Sequence, residues 1–326
     1  MIVAATLEGI ADAASALRDG RLVAFPTETV YGLGADARNL DALKRLFAAK
    51  GRPAEHPVIV HLLHTAALPR WARAVPAYAM ALADAFWPGP LTLILPRAES
   101  ISTLVTGGQD SIGVRVPSHP VALALLGAFI ERGGDGVAAP SANRFGRISS
   151  TTAQHVAGEF GAEVALILDG GPCQHGIEST IVAFTNDEPV LLRLGALGEG
   201  DLARVLGRAP APARAGAPRA SGSLAMHYAP RTPARLMPRD ELVSALGRGK
   251  AKGHIAVLAH SISQPPLFDG TWFDAPTQDA AYAHDLYANL RALDARAADE
   301  IWIEAPPDGP EWSAVRDRLR RATHRG

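Results

Sequence analysis

Between Arg208 and Pro233 the hydrophobic pattern that runs through the rest of the chain stops. Pro210, Pro212, Pro218, Pro230 and Pro233 lie there among Ala, Gly, Ser and Arg. Proline fixes φ and removes a backbone donor, so such a stretch builds neither a helix nor an inner strand. The break predicts three parts: a first domain over 1–208, a linker over 209–233 and a second domain over 234–326. A chain of 326 residues, 48% hydrophobic and 20% charged, can fill two ordinary cores of that size.

The two sides of the break differ in rhythm. On the N-terminal side, Ile10, Ala13, Ala14 and Leu17 recur at helical spacing, with Gly20 placed as a C-terminal cap. A strand over 22–25, a helix from Asn39 and a strand over 58–60 ending on His61 follow. A helix marked by Tyr78, Leu82 and Phe86 stops at Trp87-Pro88-Gly89-Pro90, before a buried strand over 91–95. Residues 111–116 alternate, which puts Ser111 and Arg115 together on a polar face. Then come an apolar helix from His119-Pro120 to Ile130, a short strand over 137–139 and a helix capped by Ser150 or Thr151. Strands over 164–168, 180–184 and 190–194 complete the region, punctuated by Asp169-Gly170-Gly171-Pro172 and Asn186-Asp187. Helices and strands mix here without strict alternation, which predicts a twisted mixed open sheet with flanking helices. Beyond Pro233 they do alternate, with strands over 234–237, 255–259 and 301–303 between helices over 240–246, 280–293 and 312–319. That rhythm predicts a smaller doubly wound, Rossmann-like α/β domain.

Charge and cysteine content exclude several classes. A net charge of −1 argues against nucleic-acid binding through bulk electrostatics. Cys173 is the only cysteine, so neither an internal disulfide nor a cysteine-built zinc site can form, and Cys173 with His175 is too small a ligand set. The N-terminus carries no secretory pattern and the run at 91–95 is too short for a bilayer, so a cytoplasmic protein with no membrane contact is expected. The basic tail, Arg316 to Arg325, reads first as a solvated helix end; a weak tRNA or RNA contact is the alternative.

The candidate chemistry starts in the stretch from Leu22 to Pro53. Gly32-Leu33-Gly34-Ala35-Asp36-Ala37 fits the dinucleotide fingerprint in letters, but a Pro26-Thr27-Glu28-Thr29 turn precedes it and no helix starts there. The glycines are therefore read as turn-formers. No Walker loop is present, so any ATP is held without one. Lys50 and Arg52 could simply close a helix end, but with the Thr27-Glu28-Thr29 turn one helix earlier they suit an anionic ligand better. Arg115 and Arg193 could be sheet-face cations, Ser141-Ala142-Asn143 turn chemistry, and Glu178-Ser179-Thr180 the start of a strand. In the linker, adjacent His227 and Tyr228 are more than a spacer requires.

In order along the chain, Phe25-Pro-Thr-Glu-Thr-Val-Tyr-Gly-Leu-Gly34, Lys50-Gly-Arg52-Pro53, Pro57-Val-Ile-Val-His61, Gly113-Val-Arg115-Val-Pro117, Ala139-Pro-Ser141-Ala-Asn143, Gly176-Ile-Glu-Ser179-Thr180 and His227-Tyr228-Ala229-Pro230 resemble the L-threonylcarbamoyladenylate synthases (YrdC-like domain), in the long two-domain form. The resemblance covers nearly the whole chain. It implies a nucleotidyltransferase that makes threonylcarbamoyl-adenylate from L-threonine, bicarbonate and ATP, with pyrophosphate released. It also implies a downstream tRNA threonylcarbamoyl transferase complex, which places the group on adenosine 37 of tRNAs reading codons that begin with A. By the same resemblance, Thr29, His61, Arg115 and Ser179 surround threonine or its carbamate. Arg52, His56, Ser111, Ser141, Asn143, Ser149, Arg193 and Tyr228 line the ATP, with Lys50 and Arg52 as the catalytic cations and Tyr228 as a lid. Mg²⁺ is expected on the ATP phosphates, with no protein side chain as ligand.

Overall fold

The computed structural model describes residues 1–185, 187–222, 227–247 and 253–324. Asn186 and Arg325, named above, lie outside the described residues. Two units are present: Met1–Phe145 with Ser149–Ser223, and Gly146–Ile148 with Leu224–Gly326.

The first unit runs β1 (Ile2–Ala4), α1 (Leu7–Arg18), β2 (Val23–Phe25), β3 (Gly32–Asp36), α2 (Leu40–Lys50), β4 (Ile59–His61), α3 (Ala77–Phe86), β5 (Leu91–Pro96) and β6 (Ser111–Arg115). It continues through α4 (Pro120–Glu131), β7 (Val137–Ala138), α5 (Ala153–Phe160), β8 (Leu166–Asp169), β9 (Thr180–Thr185), β10 (Glu188–Arg193), α6 (Glu199–Leu206) and β11 (Ala211–Pro212). The strands form one sheet in the order β1-β8-β2-β3-β7-β4-β6-β5-β9-β10-β11. Parallel pairs such as β4 with β6 sit beside antiparallel ones such as β5 with β6, so the sheet is mixed, as the irregular rhythm predicted. One core gathers Leu33, Leu43, Val60, Trp71 and Val114; a second packs Leu17 of α1 and Leu125 and Phe129 of α4 on Phe25.

Local chemistry sets the helices that frame the site. Asn39 Oδ1 accepts the Asp41 and Ala42 N–H groups at 3.0 and 3.1 Å and starts α2. Gly51, at φ +59°, ends it in the left-handed conformation and leaves Lys50 on its last turn. His119 Nδ1 accepts Val121 N–H at the head of α4, just ahead of Pro120.

Two expectations are corrected: α5 is capped by Thr152, whose hydroxyl accepts the His155 N–H at 3.2 Å, and not by Ser150 or Thr151, and the glycine pair is not a turn. Gly32 and Gly34 form no turn; they belong to β3, antiparallel to β2, with Phe25 opposite Gly32. A Cβ on Gly34 would come within 2.9 Å of both the Phe25 ring and the Val137 side chain, and one on Gly32 within 3.2 Å of Ala139. The glycines let a strand cross an aromatic ring, a role that leaves no local signature.

The second unit runs β12 (Ala234–Met237), α7 (Arg239–Gly247), β13 (Ile255–Ala259), β14 (Thr271–Asp274), α8 (Asp279–Asp294), β15 (Glu300–Glu304) and α9 (Ser313–Ala322). Its sheet is parallel throughout, in the order β12-β15-β13-β14, over a core of Met237, Leu242, Ile255, Val257 and Trp302. This is the doubly wound arrangement that alternation predicts. Within the first unit, part of the expected linker is fastened down: β11 pairs with β10, and Arg219 exchanges hydrogen bonds with Gln109 at 2.6 and 3.1 Å.

Candidate active site

Three turns far apart in sequence are laced together by their backbones. Tyr31 N–H donates to Ser150 O, Ala142 N–H to Tyr31 O and Leu33 N–H to Pro140 O, at 2.7–2.8 Å. The Pro26–Tyr31 turn, the Ser141–Asn143 turn and the 149–151 segment thus share one edge. Beside them β4 and β6 lie in parallel register, with His61 opposite Arg115.

At this first cluster Arg115 is almost fully enclosed, 4% exposed. Its Nε donates to Gly89 O at 3.1 Å and its Nη1 to Thr29 Oγ1 at 2.9 Å, while Nη2 lies 2.6 Å from Glu28 Oε1. The hydroxyl protons can be counted. Thr27 gives its proton to Val30 O at 2.7 Å, so at the 2.8 Å contact between the two hydroxyls Thr29 is the donor. Thr29 therefore accepts from Arg115 and meets a ligand as an acceptor. Burial works against the Glu28 charge, but the adjacent Arg115 guanidinium, with the Glu28 and Ser118 backbone N–H groups, outweighs it and holds the carboxyl below its usual range. Burial first, and then the Arg115 cation, push His61 down to about 3, so its imidazole is neutral at physiological pH. His61 Nδ1 is buried and has no hydrogen-bond partner, and the ring sits edge-on to Phe25 at 6.1 Å.

The second cluster carries the other cations. Lys50 Nζ donates to Ser141 O and Asn143 O at 2.5 Å each, tying the end of α2 to the Ser141–Asn143 turn. Burial, with the Arg52 cation second, lowers its pKa well below the ordinary lysine value. Arg52 Nη2 donates to Pro57 O at 2.8 Å and reaches Ser221 Oγ at 3.3 Å, while its guanidinium lies 5.7 Å from the Phe145 ring centre. The His56 ring is 5.0 Å from Phe145, and burial, followed by Arg52, lowers its pKa. Arg193 donates from Nη2 to Ser179 O and Oγ at 2.8 and 3.1 Å, and from Nη1 to Ser221 O at 2.9 Å. Ser179 Oγ meets Thr92 Oγ1 at 2.8 Å. Ser149 Oγ donates to Glu178 Oε1 at 2.6 Å, Asn143 Nδ2 donates to Arg144 O at 2.7 Å, and Ser111 is half-buried at the other end of β6 from Arg115.

Tyr228 belongs to the second unit. It is buried there, stacked on Tyr287 at 5.6 Å with the Arg318 guanidinium 5.3 Å from its ring centre. In the basic tail, Asp317 carries Arg318, Arg320 and Arg321 at 3.0–3.1 Å, and the Arg318 side chain is fully buried. Sequence reading missed the Glu28–Arg115 pair, Thr92 as partner of Ser179, and Ser221, which touches both Arg52 and Arg193. Glu28 stood in a visible motif; Ser221 lies in a Pro-rich stretch with no pattern to mark it. No helix among the described residues is long and apolar enough to cross a membrane.

A mixed sheet that gathers buried cations, hydroxyls and a neutral histidine at the ends of its inner strands is the build of an enzyme for small charged substrates. Residues 15–195 match the Sua5–YciO–YrdC family, described as "Telomere recombination", and residues 197–323 match the C-terminal domain of threonylcarbamoyl-AMP synthase. The threonylcarbamoyl-AMP synthase of Pyrococcus abyssi is 39% identical over 95% of this chain and 93% of its own length. That of Bacillus subtilis is 38% identical over 96% and 92%. The crystal structure of P. abyssi Sua5 complexed with L-threonine superposes with a TM-score of 0.91 at 35% identity, covering 99% of this chain and 97% of that one. The chain belongs to the Sua5–YrdC family of threonylcarbamoyl-AMP synthases, in its two-domain form, and is a nucleotidyltransferase.

Proposed function

We propose that this enzyme joins L-threonine, bicarbonate and ATP into threonylcarbamoyl-adenylate and releases pyrophosphate. Its product then serves a downstream tRNA threonylcarbamoyl transferase complex acting at adenosine 37 of tRNAs that read codons beginning with A. The observation that carries the reading is the first cluster: Arg115 and the acceptor Thr29 beside a neutral His61, in a chain whose relative was crystallised with L-threonine. In this reading those three, with Ser179, hold threonine or its carbamate, and Arg115 turns its remaining N–H groups to the carboxylate. Arg52, His56, Ser111, Ser141, Asn143, Ser149 and Arg193 take the nucleotide side.

The neutral threonine amine attacks the bicarbonate carbon: the C–N bond forms as one C–O bond breaks, and the departing hydroxide takes the proton lost from nitrogen and leaves as water, giving the carbamate. A carbamate oxygen then attacks the α-phosphorus; the bond to the β-phosphate oxygen breaks and pyrophosphate leaves with that electron pair. The protein's contribution is positioning and charge. Arg52 meets the phosphates, while Lys50 fixes the turn against which they lie. Among the described residues no group of three or more His, Cys, Asp or Glu side chains could hold a metal ion. In this reading Mg²⁺ would come with the ATP phosphates, ligated by phosphate oxygens and water, where it would offset the charge of the leaving group. Pyrophosphate release that needs both threonine and bicarbonate is the expected result; release indifferent to both overturns the reading.

A further inference from the structure

We propose that Glu28 is the positioning residue for Arg115: an internal counter-ion that sets how tightly the pocket grips an amino-acid carboxylate. The inference rests on the reading that Arg115 receives that carboxylate.

Glu28 lies on the turn between β2 and β3, 2% exposed. Its backbone carbonyl takes the His175 N–H at 2.8 Å, so the turn is anchored independently of the side chain. Its carboxylate Oε1 is 2.6 Å from Arg115 Nη2, and the guanidinium, with smaller help from the Glu28 and Ser118 backbone N–H groups, holds it ionised against burial. The contact is a buried, charge-assisted one between a guanidinium and a carboxylate. Here the guanidinium keeps its place through Gly89 O and Thr29 Oγ1, and Glu28 contributes the balancing charge.

With His61 neutral, the Arg115–Glu28 pair sums to zero. An incoming carboxylate then meets oriented N–H donors without the full attraction of a naked buried cation. Binding is specific but not so deep that it lowers the bound ground state more than the transition state. Without the Glu28 charge, Arg115 becomes an unpaired buried cation open to any small carboxylate.

The test compares the full-length parent with Glu28→Gln and Glu28→Asp. Acetate, titrated at constant ionic strength, should raise the melting temperature of Glu28→Gln and leave the parent's nearly unmoved. In pyrophosphate release, Glu28→Gln should show a threonine KM lowered by roughly tenfold together with a reduced kcat. Glu28→Asp keeps the charge on a shorter arm: its acetate response should match the parent's while kcat falls. A raised threonine KM in Glu28→Gln with no acetate response overturns the proposal. Should Glu28→Gln fail to fold, Glu28→Asp decides, since parental kcat in that variant also overturns it. A parent without threonine-dependent turnover, alongside an acetate-stabilised Glu28→Gln, would sink the functional reading and leave the counter-ion role standing.

Discussion

Each unit buries a glutamate, and the two are held ionised by different dominant partners. Glu28 in the first unit is 2% exposed and Glu304, the last residue of β15 in the second, 1%. Burial works against the charge of both, and both nonetheless titrate below the usual carboxylate range. Glu304 achieves this with fixed donors: the His260 N–H at 2.7 Å, the Ser261 N–H at 2.9 Å and the Ser261 hydroxyl. Glu28 achieves it chiefly with a neighbouring cation, the Glu28 and Ser118 backbone N–H groups adding less. An acid saturated by backbone N–H groups pins the loop after β13. An acid balanced chiefly by a side-chain cation leaves that cation's remaining donors for a ligand. The difference separates a carboxylate that holds a fold from one that tunes a site.

The strongest way to break the comparison is to remove the cation. Arg115→Ala strands Glu28 in a buried site, and losing one partner of such a pair costs about 3–5 kcal/mol of stability. Threonine-dependent pyrophosphate release should fall by roughly 100-fold or more, because the carboxylate loses its fork. Urea unfolding and initial-rate kinetics measure the two effects; a variant near parental turnover would show that Arg115 does not hold substrate.

Glu304→Gln probes the other side with a smaller effect. An amide oxygen can replace one acceptor but not the charge, and hydrogen bonds to charged groups contribute about 1.5–3 kcal/mol. Stability should drop by an amount in that range while turnover per folded molecule stays parental. Lost turnover at full folding would place Glu304 in the chemistry and erase the contrast.

How legible all this was in the sequence follows the same division between local and distant causes. The parallel sheet of the second unit was legible because each of its elements carries its own period; the edge strand β14, half-buried and short, was not. The mixed character of the first sheet showed in the irregular rhythm. The strand role of Gly32 and Gly34 did not, because it depends on Phe25 and Val137 packed across the sheet. β11 was hidden in a Pro-rich stretch, where an edge strand tolerates proline that an inner one would not. In the site, the cations and hydroxyls were legible as motifs. Their wiring was not: Lys50 on the carbonyls of the Ser141–Asn143 turn, and Ser221 on two arginines, are contacts between residues with no shared pattern.

The smallest effect sharpens the comparison through pH. His61 titrates near 3 in the folded protein against an ordinary value of 6.5. Below 6.5 the unfolded chain takes up a proton that the folded chain refuses until about 3. The His61 contribution to stability is therefore intact above 6.5 and is lost progressively as pH falls toward 3. Between pH 7 and 5.5 the loss amounts to about 1.4 kcal/mol, one proton over one pH unit. Glu28 and Glu304, with lowered carboxylate values, lose their contributions only at more acid pH, so this window reports on the histidine. His56 and His119 also titrate low, but they act equally in parent and variant. Urea unfolding at pH 7 and 5.5 should show the parent losing about 1.4 kcal/mol more than His61→Gln. Equal losses would mean that His61 is solvated and protonates freely, and the neutral imidazole beside Arg115 would have to be abandoned.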